Sequence, residues 1–376
     1  LCEHVLSRTE GDDRLVVTTF VSSRLLPAIA RHHGVHHVEV NPAAQTATVH
    51  FDPAVTSVAQ LRQWVIDCGY HCGGQSVPHH ICDPAAEPEL AATIALQHAV
   101  HHNARLAGTA TVTWARRAVE LSPAGSPTAE VAAAHVVFGL VHAGRADEAA
   151  AEVPRHDPVQ SGVARGWLRL LTDDLDGARA DLGAAARTAG PHGIVNSVAF
   201  SLAYLARAEY LAGAWDDAVL HAERAAMYAA ESDSALVRGL VFGVAVLVPA
   251  ARGDHDASAE AARRAAEGNG GYERGLVAAG LGAAQAATAR DDPDAVLAAL
   301  APVARLARET LRGEGSGLLE PGVWPWADLY AEALVGIGRT ADADVFLRPH
   351  EQRAARGPAS ALARLARARG RIEAAR

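Results

Sequence analysis

The chain is 376 residues long, 49% hydrophobic, 20% charged and 5% aromatic, which fits a soluble globular protein with two or three cores and excludes a disordered one. Abundant alanine beside so few aromatics points to closely packed helices with small residues at their contacts. All 34 basic residues are arginine and the formal net charge is -9, so the chain lacks the overall basic field of a nucleic-acid binder.

Other segments narrow the class further. The longest apolar run, Gly239 to Ala251, is shorter than the ~20 residues a bilayer requires, and no basic-then-apolar leader opens the chain. These features read as cytoplasmic. The first residue is Leu1, which reads as a processed, trimmed or incompletely sequenced chain. The four cysteines all lie at or before Cys82, a pattern that suits reduced thiols or metal better than a disulfide framework.

In chain order, residues 1–14 are polar and expected to be frayed. "RLVVTTF" (14–20) is rich in β-branched residues and predicts a strand, and "SSRLLPAIARHH" (22–33) opens with a capping serine and predicts a helix. "VHHVEV" (35–40) and "TATVHF" (46–51) alternate around the turn "NPAAQ" and predict a hairpin. A second helix follows, with Ser57 as cap and Val58, Leu61 and Val65 at helical spacing up to Gly69; a short extended piece, "HCGGQSVP", closes the order β-α-β-β-α-β.

The stretch "GVHHVEVNPAAQTATVHFDPAVTSVAQLRQWVIDCGYHC" resembles the heavy-metal-associated domain, in the version found at the N-terminus of actinobacterial metal-exporting P-type ATPases. The resemblance covers residues 15–84 and implies a ferredoxin-like fold. In that family a Met-x-Cys-x-x-Cys loop after the first strand holds the metal; here the loop reads "TTFVSS", with no cysteine. Without lysine for a pump's phosphorylation motif, and without a membrane span, the chain is not expected to be a transporter.

Residues 85–96, containing "DPAAEPE", read as a linker, and from 97 to 376 one phrase returns: "AGRADEAA", "TDDLDGARA", "AGAWDDAVLHAERA", "RGDHDASAEAARRA", "RDDPDAVLAAL", "IGRTADADVFL" and "RGRIEAAR". The recurring position is Gly144, Asp173, Gly213, Gly253, Asp291, Gly338 and Gly370, at separations of 29, 40, 40, 38, 47 and 32. That period predicts helical hairpins of tetratricopeptide (TPR) type. The recurring residue should end one helix in a left-handed conformation, and an acidic residue should start the next. Ala149, Ala178 and Ala218 should lie where paired helices approach, and Ile194, Val198, Leu202 and Leu205 form one apolar stripe. The fold class is therefore mainly α, with a small α+β ferredoxin-like (βαββαβ) domain followed by a TPR-like α-solenoid. Phrases such as "YLARAEYLAGAWDDAVLHAERA" and "EPGVWPWADLYAEALVGIGRTADADVFL" resemble the helical-repeat region of large LuxR-family transcriptional regulators. That resemblance implies a part in transcription control, but neither a P-loop nor a helix-turn-helix flanks the repeats here.

Three groups of residues carry candidate chemistry. Cys68, His71, Cys72, His79, His80 and Cys82 stand within fifteen positions and could converge on Cu(I) or Zn(II), although their spacings fit no familiar zinc module; the alternative is a packed Cys68 and an exposed tail. His32, His33, His36 and His37 form a second imidazole set, read as solvated. Trp324 and Trp326 are either a contact patch for a protein partner or effector on the repeat surface, or packing residues that pin a long connection. Arg364, Arg367 and Arg371 at helical spacing read as a solvated helix face, and direct DNA binding is not expected. "GLGAAQ" lacks a preceding strand and a third glycine, so no nucleotide site is expected, and no catalytic signature is found.

The expected function is a non-enzymatic regulatory or interaction protein. The alternatives are a metal-binding chaperone or buffer docked through its repeats, and a fusion of two gene fragments.

Overall fold

The computed structural model describes residues 6–9, 14–18, 30–41, 46–57, 60, 61, 64 and 88–376, except 154–158, 190–194, 233–234, 269–270, 311–317, 319–321 and 356. The chain divides into two compact units, Leu1–Ala91 and Ala92–Arg376.

In the first unit, β1 (Leu6–Thr9), β2 (Arg14–Thr18), β3 (Val35–Asn41) and β4 (Thr46–Phe51) form one antiparallel sheet in the order β1-β2-β4-β3. The order β2-β4-β3 is the ferredoxin-like pairing expected from the alternating segments. β1 corrects one expectation, because it comes from the segment 1–14 read as frayed. A bare β2 would leave a row of unpaired N–H and C=O groups, and residues 6–9 pair with that edge. Val38, Val49, Phe51 and Leu61 are buried against one another's faces. Most of the predicted helix at 22–33 and the closing piece at 71–78 lie outside the described residues.

The stretch from Pro88 onward is helical in every described element, its first helix beginning inside the first unit. It comprises α1 (Pro88–Ala104), α2 (Gly108–Leu121), α3 (Pro127–His142), α4 (Ala146–Glu152), α5 (Val159–Leu171), α6 (Leu175–Ala189), α7 (Val195–Leu211) and α8 (Trp215–Ser232). Then follow α9 (Ala235–Ala245), α10 (Leu247–Arg252), α11 (His255–Glu267), α12 (Glu273–Ala289), α13 (Pro293–Thr310), α14 (Ala327–Gly336), α15 (Thr340–Ala354) and α16 (Ala359–Ala374). Because α1 begins at Pro88, most of the stretch 85–96 read as a linker is helix; proline fits a helix's first turn, where an N–H would have no partner. The break between α9 and α10 falls ahead of Pro249, whose ring removes the bond to Ala245.

Six of the seven recurring positions do what the phrase predicts. Gly144, Asp173, Gly213, Gly253, Asp291 and Gly338 all have positive φ, between 55° and 80°. At each, the next residue's N–H reaches back to close the helix end: Arg145 to Leu140 O (2.8 Å), Asp174 to Arg169 O (3.0 Å), Ala214 to Glu209 O (2.9 Å), Asp254 to Pro249 O (2.9 Å), Asp292 to Ala287 O (3.1 Å) and Arg339 to Leu334 O (2.8 Å). This is the Schellman closure. Where the following residue is Asp174, Asp254 or Asp292, its carboxylate accepts from the N–H three residues on, at 3.0 Å in each case, and starts the next helix. Gly370 departs from the series, since it lies inside α16.

The turns place α3 beside α4, α5 beside α6, α7 beside α8, α9 and α10 beside α11, α12 beside α13 and α14 beside α15, each hairpin packing on the next. Ala149, Ala178 and Ala218 are buried where these helices meet, and Val198, Leu202 and Leu205 face the same core; Ile194 lies outside the described residues. Backbones come close between α9 and α12. A Cβ on Gly239 would stand 2.9 Å from Gly275 Cα, and one on Gly243 would stand 2.6 Å from Ala278 O. Later hairpins also touch earlier ones: Asp173 Oδ2 accepts from the Ser360 N–H at 2.8 Å, capping α16, and Arg207 donates to Gly322 O at 3.0 Å and Val323 O at 3.2 Å.

The core also holds polar groups at a cost, His142 among them. His142 is 3% exposed among Trp167 and its neighbours, and neither ring nitrogen has a hydrogen-bond partner among the described residues. Burial, helped by Arg274, pushes its pKa down to about 3.

Two predictions follow from this packing. Gly243→Val should destabilise the protein by about 1–3 kcal/mol through forced separation of α9 and α12, whereas Gly370→Ala, with nothing within 4 Å of the added Cβ, should stabilise it by about 0.5–1 kcal/mol; urea unfolding of both variants measures this. Since the folded pKa of His142 is depressed below the unfolded value near 6.5, its stabilising share is complete above pH 6.5 and falls as the pH drops towards 3. His142→Phe should therefore lose about 1.5 kcal/mol less than the parent between pH 6.5 and 5, the slope approaching about 1.36 kcal/mol per pH unit only below the unfolded value, in urea midpoints taken at both values.

Candidate functional site

In the first unit the turn ahead of β3 is fixed by Gly34 and Thr56. Gly34 turns into β3 with φ 89°, and a Cβ there would meet Thr56 Oγ1 at 2.4 Å, so glycine is required. The Gly34 carbonyl accepts from Asp52 N at 2.7 Å, and buried Thr56 donates its hydroxyl to His33 O at 2.7 Å. Asp52 Oδ1 accepts from Ala54 N at 2.9 Å. Ser57 Oγ accepts from Gln60 N at 3.2 Å while Gln60 Oε1 accepts from Ser57 N at 2.8 Å, a reciprocal box that starts the second helix at the predicted cap.

The donor chemistry of this unit is narrower than its scaffold. The segment that would carry the soft-metal ligands, Thr18 to Ser23, offers hydroxyl oxygens and no thiolate or imidazole, a donor set that does not fit Cu(I). Cys68, His71, Cys72, His79, His80 and Cys82 lie outside the described residues. His32 stacks on Trp64 at 3.8 Å. A register shift between Val35 and His37 leaves His36 as the extra residue of a bulge, and His36 and His37 are both exposed. Among the described residues no group of three or more His, Cys, Asp or Glu could hold a metal ion.

In the second unit the connection between α13 and α14 forms a small pocket with α15 and α16. Trp324 and Trp326 are 7% and 2% exposed, which favours the packing reading over the outward contact patch: they belong to the core. Trp326 Nε1 donates to Leu318 O at 3.0 Å, and its ring meets Phe346 and His350 edge-on at 5.4 Å each. The rings thereby pin the connection onto α15. Beside them opens a pocket of about 30 Å³, lined in part by Leu318, Pro325, Asp328, Ala361 and Arg364, enough for the atoms of one small polar group. Burial pushes His350 down to about 4 and raises Asp328 above the usual carboxylate range.

On α16, Arg367 and Arg371 are exposed as expected, and they are also ion-paired. Arg367 donates to Glu332 at 2.8 Å and to Asp328 at 3.4 Å, Arg371 stands 3.3 Å from Glu332, and Arg369 pairs with Glu351 and Asp344. These partners sit on α14 and α15, and the pairs stitch the last helix down. Sequence reasoning missed the pairing because the carboxylates lie up to 39 residues away.

Residues 22–71 match the family model described as heavy-metal-associated domain. A search of curated proteins finds no match. Among solved structures the chain is similar to one titled "Crystal structure of APC/C hetero-tetramer Cut9-Hcn1", at 14% sequence identity and a TM-score of 0.35, with 77% of this chain covered. The chain spans 57% of the length of that structure's chain. Among the described residues no helix is long and apolar enough to cross a membrane.

Proposed function

We propose that this chain is a non-enzymatic interaction protein of the cytoplasm, whose helical repeats bind a protein partner or small effector and whose heavy-metal-associated-like domain is an appended head. The observation that supports this reading is the repetition of one closure at six turns, which stacks like hairpins on one another. The finer reading, a sensor or partner-binding module of a LuxR-type transcriptional regulator, draws its support from the repeat phrases alone. Arginines of the last helix that are spent on carboxylates favour protein over DNA as the bound species.

A second reading, a Cu(I) or Zn(II) chaperone or buffer, is favoured by the match over residues 22–71. Its ligands would have to come from Cys68, Cys72, Cys82 and the adjacent histidines, since the segment Thr18–Ser23 lacks soft donors.

The two separate in one set of measurements on the full chain. A photo-crosslinking amino acid placed at Met227 or Val345, each 70% exposed on the repeats, should capture one and the same cellular protein, and the same probe at Val55 in the first unit should not. Capture from Val55 alone would reverse the assignment. Anaerobic titration with Cu(I) and Zn(II) against a chelating competitor should show equally weak binding by the parent and by Cys68/Cys72/Cys82→Ser; tight binding lost in that variant would establish the second reading.

A further inference from the structure

The pocket beside Trp324 has a charge balance that suggests what enters it. Arg364 lines it, is half-buried, and makes no hydrogen bond or ion pair among the described residues. Behind the pocket mouth, Arg207 gives its protons to two carbonyl oxygens, of Gly322 and Val323, and to no carboxylate; burial and the nearby Arg364 push it down to about 10. Asp328 is the one carboxylate in the lining, and it is engaged by Arg367, which it shares with Glu332. Arg371 also stands on Glu332, so Arg364, Arg367 and Arg371 face Asp328 and Glu332, three positive charges against two negative ones. A buried cation without a counter-charge is costly.

The remaining walls are mostly apolar, with Leu318, Trp324, Pro325, Ala361 and Leu365, beside His350. Trp324 Nε1 is buried with no acceptor among the described residues. The space, about 30 Å³, admits a group of two or three heavy atoms and no more.

We infer that this pocket binds the carboxylate of a ligand that carries an apolar group next to it, with Arg364 as the principal donor. A carboxylate fits the planar fork of a guanidinium and supplies the missing negative charge. The space admits the carboxylate alone, so the apolar group beside it stays at the pocket mouth, and either a small organic acid or the free C-terminus of a peptide presents that chemistry. The inference rests on the reading of the helical unit as a binding module and names the ligand class at one position of it.

The test follows the indole N–H signals of the ¹⁵N-labelled full chain, with the Trp324 signal assigned by its loss in Trp324→Phe. N-acetyl-leucine and a tetrapeptide ending in leucine should each shift that signal saturably, and their C-terminal amides should not. The tighter of the two acids identifies the source. Arg364→Gln should weaken binding at least about tenfold, the loss of a charge-assisted bond, and Arg364→Lys should fall between it and the parent. Equal shifts from acid and amide, unchanged binding by Arg364→Gln, or no shift from any probe would overturn the inference. If the photo-crosslinks at Met227 and Val345 persist in that event, the binding-module reading stands and this assignment alone fails.

Discussion

One backbone conformation governs the second unit. At six turns a residue at positive φ stops a helix, and the following N–H returns to the carbonyl five residues before it. An L-residue resists that conformation, and glycine alone adopts it without cost, with aspartate and asparagine next. Four glycines and two aspartates occupy the six sites. Because the closure leaves no slack, the next helix starts at a fixed angle and its apolar stripe falls on the hairpin before it. Where the helix start is Asp174, Asp254 or Asp292, the same short turn also supplies the cap.

Small residues complete what the turns begin. Gly239 and Gly243 let α9 approach α12 backbone to backbone, and alanines such as Ala149 and Ala178 fill the contacts between paired helices without forcing them apart. The array then gains contacts between distant repeats. Asp173 serves twice, as a turn residue and as the cap of α16, 187 residues further along the chain. Arg207 holds the connection before α14 by its carbonyls, and the two tryptophans of that connection are locked into the core, one by the Leu318 carbonyl. A partner-binding surface depends on this rigidity, since ordering it on binding would cost conformational entropy.

Much of this was legible in the sequence because it is local. Turn chemistry and the spacing of Val198, Leu202 and Leu205 are written within a few residues of where they act, and so is the Ser57–Gln60 box. Gly370 shows the limit: it continues the series in sequence, yet it stays inside α16. What depends on distant partners was not legible. The strand at residues 6–9 exists to satisfy the edge of β2, the depth of Trp324 and Trp326 depends on α15 and α16, and the arginines of α16 find carboxylates two helices away. For the candidate site, the absence of soft ligands between Thr18 and Ser23 was plain from residue identity. Arg364 gave no signal, because the lack of a partner is a property of the packed state.

The central claim is that left-handed turn residues set the register of the array, and Asp291 tests it most directly, being exposed, at φ 55°, and one residue ahead of the capping Asp292. Urea unfolding of Asp291→Gly and Asp291→Val isolates the backbone term. The account predicts that glycine raises the unfolding free energy by up to about 1 kcal/mol and that valine, β-branched and strained at positive φ, lowers it by about 1–3 kcal/mol. Equal stability of the two variants would contradict it.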